Sequence, residues 1–452
     1  MKYSKIALFA VCCHVASVAV ATDALPLPTP QQLAWQRHEF IAFAHFGMNT
    51  FTDREWGEGN EDPKLFNPSD FDARQWATVL RGAGVRLLIL TAKHHDGFCL
   101  WPSRYTEHCV RNSPWRGGKG DVVREVVDAL REKQIRVGLY LSPWDRNQPT
   151  YGDSPNYNEY FRNQLRELLT NYGPIDEVWF DGACGEGPNG KKQAYDWPSY
   201  YALIRELQPQ ALIAISGPDI RWVGNESGVA RENESSVVRQ GTNFVWYPAE
   251  CDVSIRPGWF YHAAEDSKVK SLATLIDLYF KSIGRNSALL LNIPPDKRGR
   301  IADPDGARLT EFRAFMDRLY ATDYAKNAAI TASSRRDASG HERNLIDSNL
   351  STCWTPAEGK NTGYVEFDLG QSWTFNVARI QENIAFGERV QAYRVEVFEG
   401  DKWRTITAGQ VIGHKQLRCF PTVTARRLRL VIERASAPPA IAEFGLHFNP
   451  QP

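Results

Sequence analysis

Six short apolar runs, separated by stretches with helical periodicity, set the strongest limit on what this chain can fold into. Each run is nearly continuous rather than alternating, which is typical of strands buried on both faces of a parallel sheet. Amphipathic stretches such as Asp121–Lys133 and Tyr160–Asn171 lie between them. This strand–helix repetition predicts an α/β fold, a (β/α)8-like barrel of the TIM type. The runs are Phe40–Phe46, Val85–Leu90, Arg136–Leu141, Glu177–Phe180, Ala211–Ile215 and Ala288–Ile293.

The pattern changes in the last third of the chain. Apolar and polar residues alternate there in short runs separated by turns, which indicates an antiparallel β-sandwich. We place the boundary near Ala328, so that the barrel covers residues 22–327 and the sandwich residues 328–452. The alternating runs are Tyr364–Leu369, Tyr393–Phe398, Trp403–Ile406 and Arg427–Ile432.

The first 21 residues have the pattern of a secretory signal. Lys2 and Lys5 precede an apolar stretch that ends in Ala19-Val20-Ala21, a small-x-small cleavage site. We therefore expect a signal peptide over residues 1–21 and an exported protein, periplasmic or extracellular. A lipoprotein signal is a weaker alternative, because Val11 before Cys12 suits it poorly. No later segment reaches the length of a membrane span.

Composition excludes one class of partner and favours another. The 53 Lys and Arg residues balance 53 Asp and Glu residues. A neutral chain has little attraction for a phosphate backbone, so we expect no nucleic-acid partner. The 14 Trp and 17 Tyr residues suit stacking on the apolar faces of sugars, although ordinary core aromatics would explain them too.

Polar side chains follow four of the predicted strands, at the point where each strand ends. The first strand runs into His45, the second into Lys93-His94-His95-Asp96-Gly97, the third reaches Asp145, and the fourth ends at Asp181. In a barrel of this type, the carboxyl ends of the strands meet at one rim, where active sites form. The sequence therefore predicts an active site that contains these residues.

Two carboxyl groups are the candidates for chemistry. Asp181 follows a buried strand and suits nucleophilic attack on the anomeric carbon of a sugar. Glycoside hydrolysis needs a second carboxyl to protonate the leaving oxygen. Glu226, in a glycine-containing loop beside Trp222, is the strongest candidate, with apolar surroundings from Trp222 expected to raise its pKa. Glu250 and Glu186 are the alternatives.

No metal or other cofactor is expected. His94 and His95 are adjacent, and neighbours on an extended strand point to opposite sides, so they would chelate one ion poorly. Neither the H-E-x-x-H spacing nor a C-x-x-C pair is present. Neutral imidazoles that hydrogen-bond to sugar hydroxyls fit better, because each ring can donate and accept. Disulfides and free thiols both remain open for the six cysteines after the signal.

At these residues the sequence resembles the α-L-fucosidases of glycoside hydrolase family 29, over roughly Gln31 to Phe315. The resemblance implies a retaining mechanism with a covalent fucosyl-enzyme intermediate, a fucosylated glycan as the substrate, and Asp181 as the nucleophile. The matching motifs are His45-Phe46-Gly47, Glu55-Trp56-Gly57, Lys93-His94-His95-Asp96-Gly97-Phe98, Trp179-Phe180-Asp181-Gly182 and Leu290-Leu291-Asn292-Ile293-Pro294-Pro295.

The stretch Arg221–Glu226 looks like the subgroup that prefers α-1,3 and α-1,4 fucosyl branches, and there the acid/base position matches Glu226. An α-1,2-fucosidase, a related hydrolase for a sugar with the same hydroxyl pattern, and a fucose-binding lectin that does not cleave are the alternatives. The resemblance also implies stacking by Trp222 and Trp259. Its further implied fucose-binding residues are His45, Glu55, Trp56, His94, His95 and Tyr140.

The tail from about Ala328 looks like a discoidin domain, the coagulation factor 5/8 type C fold. Its signature is Asn344-Leu345-Ile346-Asp347-Ser348-Asn349, followed by Thr352-Cys353-Trp354. Such domains can bind sugars or a structural calcium ion, and they also serve as scaffolds beside this type of barrel. We favour the scaffold. The sequence does not fix the oligomeric state.

Overall fold

A computed structural model describes residues 25–450, which form a barrel of parallel strands followed by a domain of antiparallel strands. The predicted fold class is confirmed. The predicted signal peptide, residues 1–21, lies outside the described residues. The first part contains α1 (Pro30–Gln36), β1 (Phe40–Ala44), α2 (Met48–Thr52), α3 (Ala73–Ala83), β2 (Leu87–Lys93), α4 (Val122–Glu132), β3 (Arg136–Leu141), α5 (Ser154–Asn171), β4 (Glu177–Phe180), α6 (Trp197–Leu207), β5 (Leu212–Ile215), β6 (Arg221–Trp222), β7 (Val237–Gln240), β8 (Asn243–Trp246), β9 (Ala249–Ser254), α7 (Leu272–Lys281), β10 (Ala288–Asn292) and α8 (Asp303–Ala321).

Eight strands form the barrel sheet, in the order β5-β4-β3-β2-β1-β10-β9-β6. Every neighbouring pair in that order is parallel. The two end strands approach each other through a single bridge between Ala214 and Ile220, so the sheet is nearly closed. Strands β7 and β8 form a separate antiparallel hairpin.

The six apolar runs correspond to β1 to β5 and β10, whereas the sequence missed β6 and β9. Strand β6 has only two residues, too few to give a pattern. All six residues of β9 are buried, but Glu250 and Asp252 interrupt its apolar character. Because these acids point into the barrel, the strand does not look like a buried one in sequence.

Helix α4 shows how the crossover segments are defined. Asp121 caps it as predicted, since its carboxylate accepts a hydrogen bond from the backbone N–H of Arg124 at 2.8 Å. The buried face of the helix consists of aliphatic residues spaced three and four apart, which pack against the sheet. No helix in the described part of the chain is long and apolar enough to cross a bilayer.

Two buried glutamates lie inside the barrel, below the carboxyl ends of the strands. Trp35 of α1 donates from its indole to Glu177 at 2.8 Å, and Trp179 donates to Glu250 at 3.0 Å. Both carboxyl groups are fully buried. Burial raises the pKa of Glu177 to about 8, and burial together with the charge of Glu177 raises that of Glu250 well above its usual value. The barrel interior therefore favours protonated carboxyl groups.

The second domain is built from six antiparallel strands around its own apolar core. The strands are β11 (Ala329–Ala332), β12 (Gly363–Glu382), β13 (Val390–Glu399), β14 (Lys402–Gly409), β15 (Gln416–Ala435) and β16 (Ile441–His447). The sheet order is β11-β12-β15-β13-β14, and β16 pairs with the C-terminal part of β12. Breaks in register within β12 bend this long strand. The predicted boundary near Ala328 lies in the connection between α8 and the first of these strands.

Replacing Glu177 by Gln should reduce the loss of stability that occurs as the pH rises from about 4.5 to about 8. An unfolded glutamate titrates near 4.5 and the folded one near 8. Its contribution to stability is therefore complete below about pH 4.5 and is lost as the pH rises through about 8. Thermal unfolding followed by circular dichroism at several pH values should show a smaller fall for Glu177→Gln than for the wild type. An equal fall in both proteins would contradict this assignment.

Candidate active site

A cavity of about 270 Å³ opens at the carboxyl ends of the barrel strands. Eight of the ten residues predicted from the sequence line it, and the other two, Tyr140 and Trp222, hydrogen-bond to carboxylates in its wall. The rim of the barrel thus brings together residues that are 214 positions apart in the chain, from His45 to Trp259. The lining residues are Phe43, His45, Glu55, Trp56, His94, His95, Trp179, Asp181, Ala183, Glu226, Asp252 and Trp259.

Asp181 follows β4 directly, and its carboxylate is held from two sides. One oxygen, Oδ1, accepts from the backbone N–H of Ala183 at 2.7 Å, and Oδ2 accepts from the hydroxyl of Tyr140 at 3.2 Å. Nε2 of His95 lies 3.9 Å from Oδ2. The side chain retains 26% exposure, so the fixed carboxylate can still be reached from the cavity.

Glu226 lies in the loop that follows β6, and its side chain reaches the same cavity. The indole N–H of Trp259 donates to its Oε2 at 3.4 Å. Trp222, expected to surround this carboxyl group, donates from its indole to Asp252 at 2.7 Å, because β6 pairs with β9 and brings the indole beside that strand.

Asp252 is a third carboxyl group of the cavity, and the sequence did not identify it. Burial raises its pKa to about 7, and the charges of Glu226 and Asp181 act in the same direction. A signal for it existed, since Asp252 stands two residues after Glu250, and residues two apart in a strand point the same way. Both acids therefore face the barrel interior, with Asp252 at its mouth.

The other two acid/base candidates do not line the cavity. Glu250 is buried beneath it, with Trp179 between. Glu186 is exposed in the loop after β4, and the contact it provides is its backbone carbonyl, which accepts from the indole of Trp144 at 3.0 Å. Glu226 is therefore the candidate that shares a cavity with Asp181.

Three buried imidazoles form one wall of the cavity. Burial lowers the pKa of His45 to about 3 and that of His95 to about 4, and it lowers the pKa of His94 well below its usual value. The ring centroids of His94 and His95 are 4.0 Å apart. The expectation that they point to opposite sides is wrong, because both lie beyond β2 in a turn, where strand alternation ends.

The hydrogen bonds of Asn292 define which nitrogen of His45 carries the proton. Its amide nitrogen donates to the backbone oxygen of Trp259 at 2.7 Å, which leaves Oδ1 as an acceptor. Nδ1 of His45 lies 2.9 Å from that oxygen and must therefore be the protonated nitrogen. Nε2 of the neutral ring is then an acceptor.

The same argument assigns the other two rings. The hydroxyl of Ser142 donates to the backbone oxygen of Trp144, so it accepts from Nδ1 of His95 at 2.7 Å, and Nε2 of His95 is an acceptor. The amide nitrogen of Asn49 lies 3.4 Å from Nδ1 of His94, so Nε2 of His94 carries the proton. The wall thus offers two acceptors and one donor, a pattern that suits sugar hydroxyls.

Glu55 holds a loop over the cavity. Its two carboxylate oxygens accept from the backbone N–H groups of Trp259 at 2.7 Å and Phe260 at 3.1 Å. His262 adds a contact of 2.7 Å to the same carboxylate, and although burial opposes it, hydrogen bonds with Asp53 and Glu55 raise the pKa of His262. Glu55 therefore positions Trp259 in addition to lining the cavity.

A buried ion pair fixes the ends of β2 and β3 behind the imidazoles. Nζ of Lys93 lies 2.9 Å from Asp145, and both side chains have 1% exposure or less. Removing one partner of such a pair leaves an uncompensated charge and costs about 3–5 kcal/mol.

Trp56 lies at the mouth of the cavity, where it is 58% exposed and its ring packs edge-on against Trp144.

A model of the alpha-L-fucosidase family matches residues 27–319, and a model of the F5/8 type C domain matches residues 329–444. The chain belongs to the alpha-L-fucosidase family. It is 41% identical over 449 residues to alpha-L-fucosidase 1 of Arabidopsis thaliana, which covers 94% of this chain and 88% of that protein. A relative from Oryza sativa subsp. japonica is 47% identical over 444 residues, 93% of this chain and 85% of its own length.

Solved structures of the family have the same architecture. The Ruminococcus gnavus family 29 fucosidase in complex with fucose has a TM-score of 0.88 at 33% identity, covering 95% of this chain and 96% of that one. A glycoside hydrolase family 29 member from an unknown rumen bacterium has a TM-score of 0.84 at 42% identity, covering 94% and 78%. The chain is thus a glycoside hydrolase, an α-L-fucosidase.

Replacing Asn292 by Ala should impair activity by releasing His45 and Trp259 together. We expect kcat/KM for an aryl α-L-fucoside to fall by about 10- to 100-fold, since displacements near 1 Å have effects of that size. Ser254→Ala is the matched control, because it removes only one hydrogen bond of the same amide. Steady-state kinetics of both variants test this, and activity of Asn292→Ala within twofold of the wild type would disprove it.

Proposed function

We propose that this enzyme releases terminal α-L-fucose with net retention, with Asp181 as the nucleophile and Glu226 as the general acid and base. The observation that carries the proposal is that these two carboxyl groups, from the ends of β4 and the loop after β6, line one cavity of about 270 Å³. This volume favours a single terminal sugar over an internal stretch of a glycan.

The reaction has two steps. The carboxylate of Asp181 attacks the anomeric carbon while Glu226 gives its proton to the departing oxygen, so the glycosidic bond breaks and a fucosyl-aspartate ester forms. Water then attacks the same carbon, Glu226 accepts its proton, and the ester bond to Asp181 breaks. Two inversions give net retention, for which such carboxyl groups stand about 5–5.5 Å apart.

The imidazole wall supports recognition of the sugar itself. Neutral rings with two acceptors and one donor can each bind a hydroxyl, and burial keeps them neutral over the whole physiological range. Because these rings are neutral, a sugar hydroxyl can displace water from them without leaving a buried charge unpaired. Phe43 and Trp259 supply apolar surface on the same cavity for the faces of the sugar.

For the linkage, we propose α-1,3 and α-1,4 branches, because the stretch Arg221–Glu226 resembles the subgroup with that preference. Trp222 is 41% exposed and stands beside the cavity, where a second sugar of the substrate would lie. A panel of α-1,2-, α-1,3-, α-1,4- and α-1,6-linked fucosyl oligosaccharides tests this. Preferential cleavage of the α-1,2 linkage would overturn the linkage assignment while leaving the α-L-fucosidase activity intact.

Replacing Asp181 by Ala should abolish turnover but leave a fucose site. We expect kcat for an aryl α-L-fucoside to fall by about 10⁴-fold or more, as for other nucleophiles. Titration calorimetry should still detect fucose binding, because the imidazole wall is unchanged. Turnover at the wild-type rate would refute the nucleophile assignment, and binding without turnover in the wild type would indicate a lectin.

Replacing Glu226 by Ala should affect substrates according to their leaving group. Protonation matters most for a poor leaving group, so we expect about 10²- to 10⁴-fold loss on phenyl α-L-fucoside and a much smaller loss of the first step on the 2,4-dinitrophenyl compound. Glu186→Ala is the control, since it removes an exposed acid of the same rim that does not line the cavity. Equal losses of kcat/KM on both substrates would contradict an acid role for Glu226.

A further inference from the structure

The loop that carries Glu226 begins at the weakest strand of the barrel. Strand β6 consists of Arg221 and Trp222 only, paired with two residues of β9. On its other side, one bridge between Ala214 and Ile220 connects the neighbouring segments. Strand pairing alone therefore holds this loop less firmly than it holds Asp181, whose strand β4 is paired on both sides.

A buried ion pair closes the base of the loop. Arg221 pairs with Glu234, and both side chains are largely buried, at 12% and 3% exposure. Arg221 also donates to the backbone oxygen of Ser235 at 2.9 Å. The two ends of the loop, near residues 221 and 235, are thereby joined, and its position depends on what holds Glu234 to Ser236.

The second domain contacts this loop through Gln410 and Arg418, at Asn233 and Glu232. It holds Ser235 and Ser236 through the side chain of Glu388. Its Oε1 accepts from the backbone N–H of Ser236 at 2.9 Å and from the amide of Asn286 at 2.6 Å. Its Oε2 accepts from the hydroxyl of Ser235 at 2.6 Å. Glu388 is 8% exposed and forms no salt bridge within residues 25–450.

Asn286 extends the contact between the two domains. Its amide also donates to the backbone oxygen of Glu234 at 3.0 Å, and its Oδ1 accepts from the backbone N–H of His414 at 2.7 Å. Gly413 allows this approach. A Cβ there would lie 2.2 Å from Nδ2 of Asn286, and the φ of +59° also favours glycine.

We propose that Glu388 of the second domain is a positioning residue for Glu226, acting through the base of the loop at Ser235 and Ser236. The inference rests on the acid/base role given to Glu226 under the proposed function. In this proposal the discoidin-like domain helps to position a catalytic residue, whereas the sequence indicates only a scaffold.

The position of the contact determines which step depends on it. Glu388 touches the segment that carries the proton donor and touches neither β4 nor Tyr140, which hold Asp181. A displaced Glu226 slows protonation of the leaving oxygen, whereas nucleophilic attack by Asp181 retains its geometry. Loss of the contact should therefore be selective for poor leaving groups.

The test compares Glu388→Ala with Glu39→Gln in the full-length protein. Glu39 also binds the second domain, through His414 at 2.8 Å and through Lys415, but neither contact involves the loop after β6. We expect Glu388→Ala to lower kcat/KM about tenfold or more on phenyl α-L-fucoside relative to 2,4-dinitrophenyl α-L-fucoside. In Glu39→Gln the ratio between the substrates should stay within about twofold of the wild type.

The outcomes separate this inference from the proposed function. If Glu226→Ala shows the leaving-group dependence and Glu388→Ala loses activity equally on both substrates, the positioning role is wrong and the acid role stands. If Glu226→Ala shows no such dependence, the proposed function itself fails. Should Glu388→Ala not fold by circular dichroism, Ser235→Ala replaces it, since it removes one of the three hydrogen bonds. An unchanged substrate ratio in that variant overturns the inference.

Discussion

Closure of the parallel sheet is the constraint on which the rest of this molecule depends. Carboxyl ends of parallel strands converge on one rim only when the sheet curves back on itself. Here that closure passes through β6, a strand of two residues with one bridge toward β5. Asp181 and Glu226 share a cavity because β4 and β6 lie on either side of β5 in the closing region. The chemistry therefore depends on the least regular part of the barrel.

Burial at this rim lowers the pKa of the imidazoles and raises the pKa of a carboxyl group. It removes the charge from His45, His94 and His95, which lets them bind hydroxyls as neutral rings. It also raises the pKa of Asp252 to about 7. Neutral polar groups in a low-dielectric wall must be satisfied by fixed partners, and the amides of Asn49 and Asn292 provide them.

The sequence predicts the barrel and much of the cavity because its strands end abruptly in polar residues. His45 and Asp181 are conspicuous for that reason, since each directly follows the last residue of a largely apolar strand, β1 or β4. Asp252, which sequence reasoning missed, does not follow the end of an apolar strand. Asp252 lies within a strand whose polar residues face the interior, so β9 shows neither an apolar run nor a clear end.

Side-chain partners were harder to predict than positions. Sequence reasoning expects Trp222 beside Glu226 but gives no sign of Asp252, to which the indole donates because β6 pairs with β9. His94 and His95 share a cavity because the strand ends at Lys93, whereas the alternation argument requires it to continue through His95. Both cases depend on where a strand stops and which strand it meets, and local sequence carries little information about either.

The side chain and backbone of Asn286 have a consequence for how far the barrel can be treated as a separate unit. One residue of the barrel gives its amide nitrogen, its amide oxygen and its backbone N–H to groups that include Glu388, His414 and Lys415. In a shortened protein that ended after α8, water would have to replace all three partners of a residue that is now 2% exposed. We therefore expect the barrel to lose stability when it is separated from the second domain.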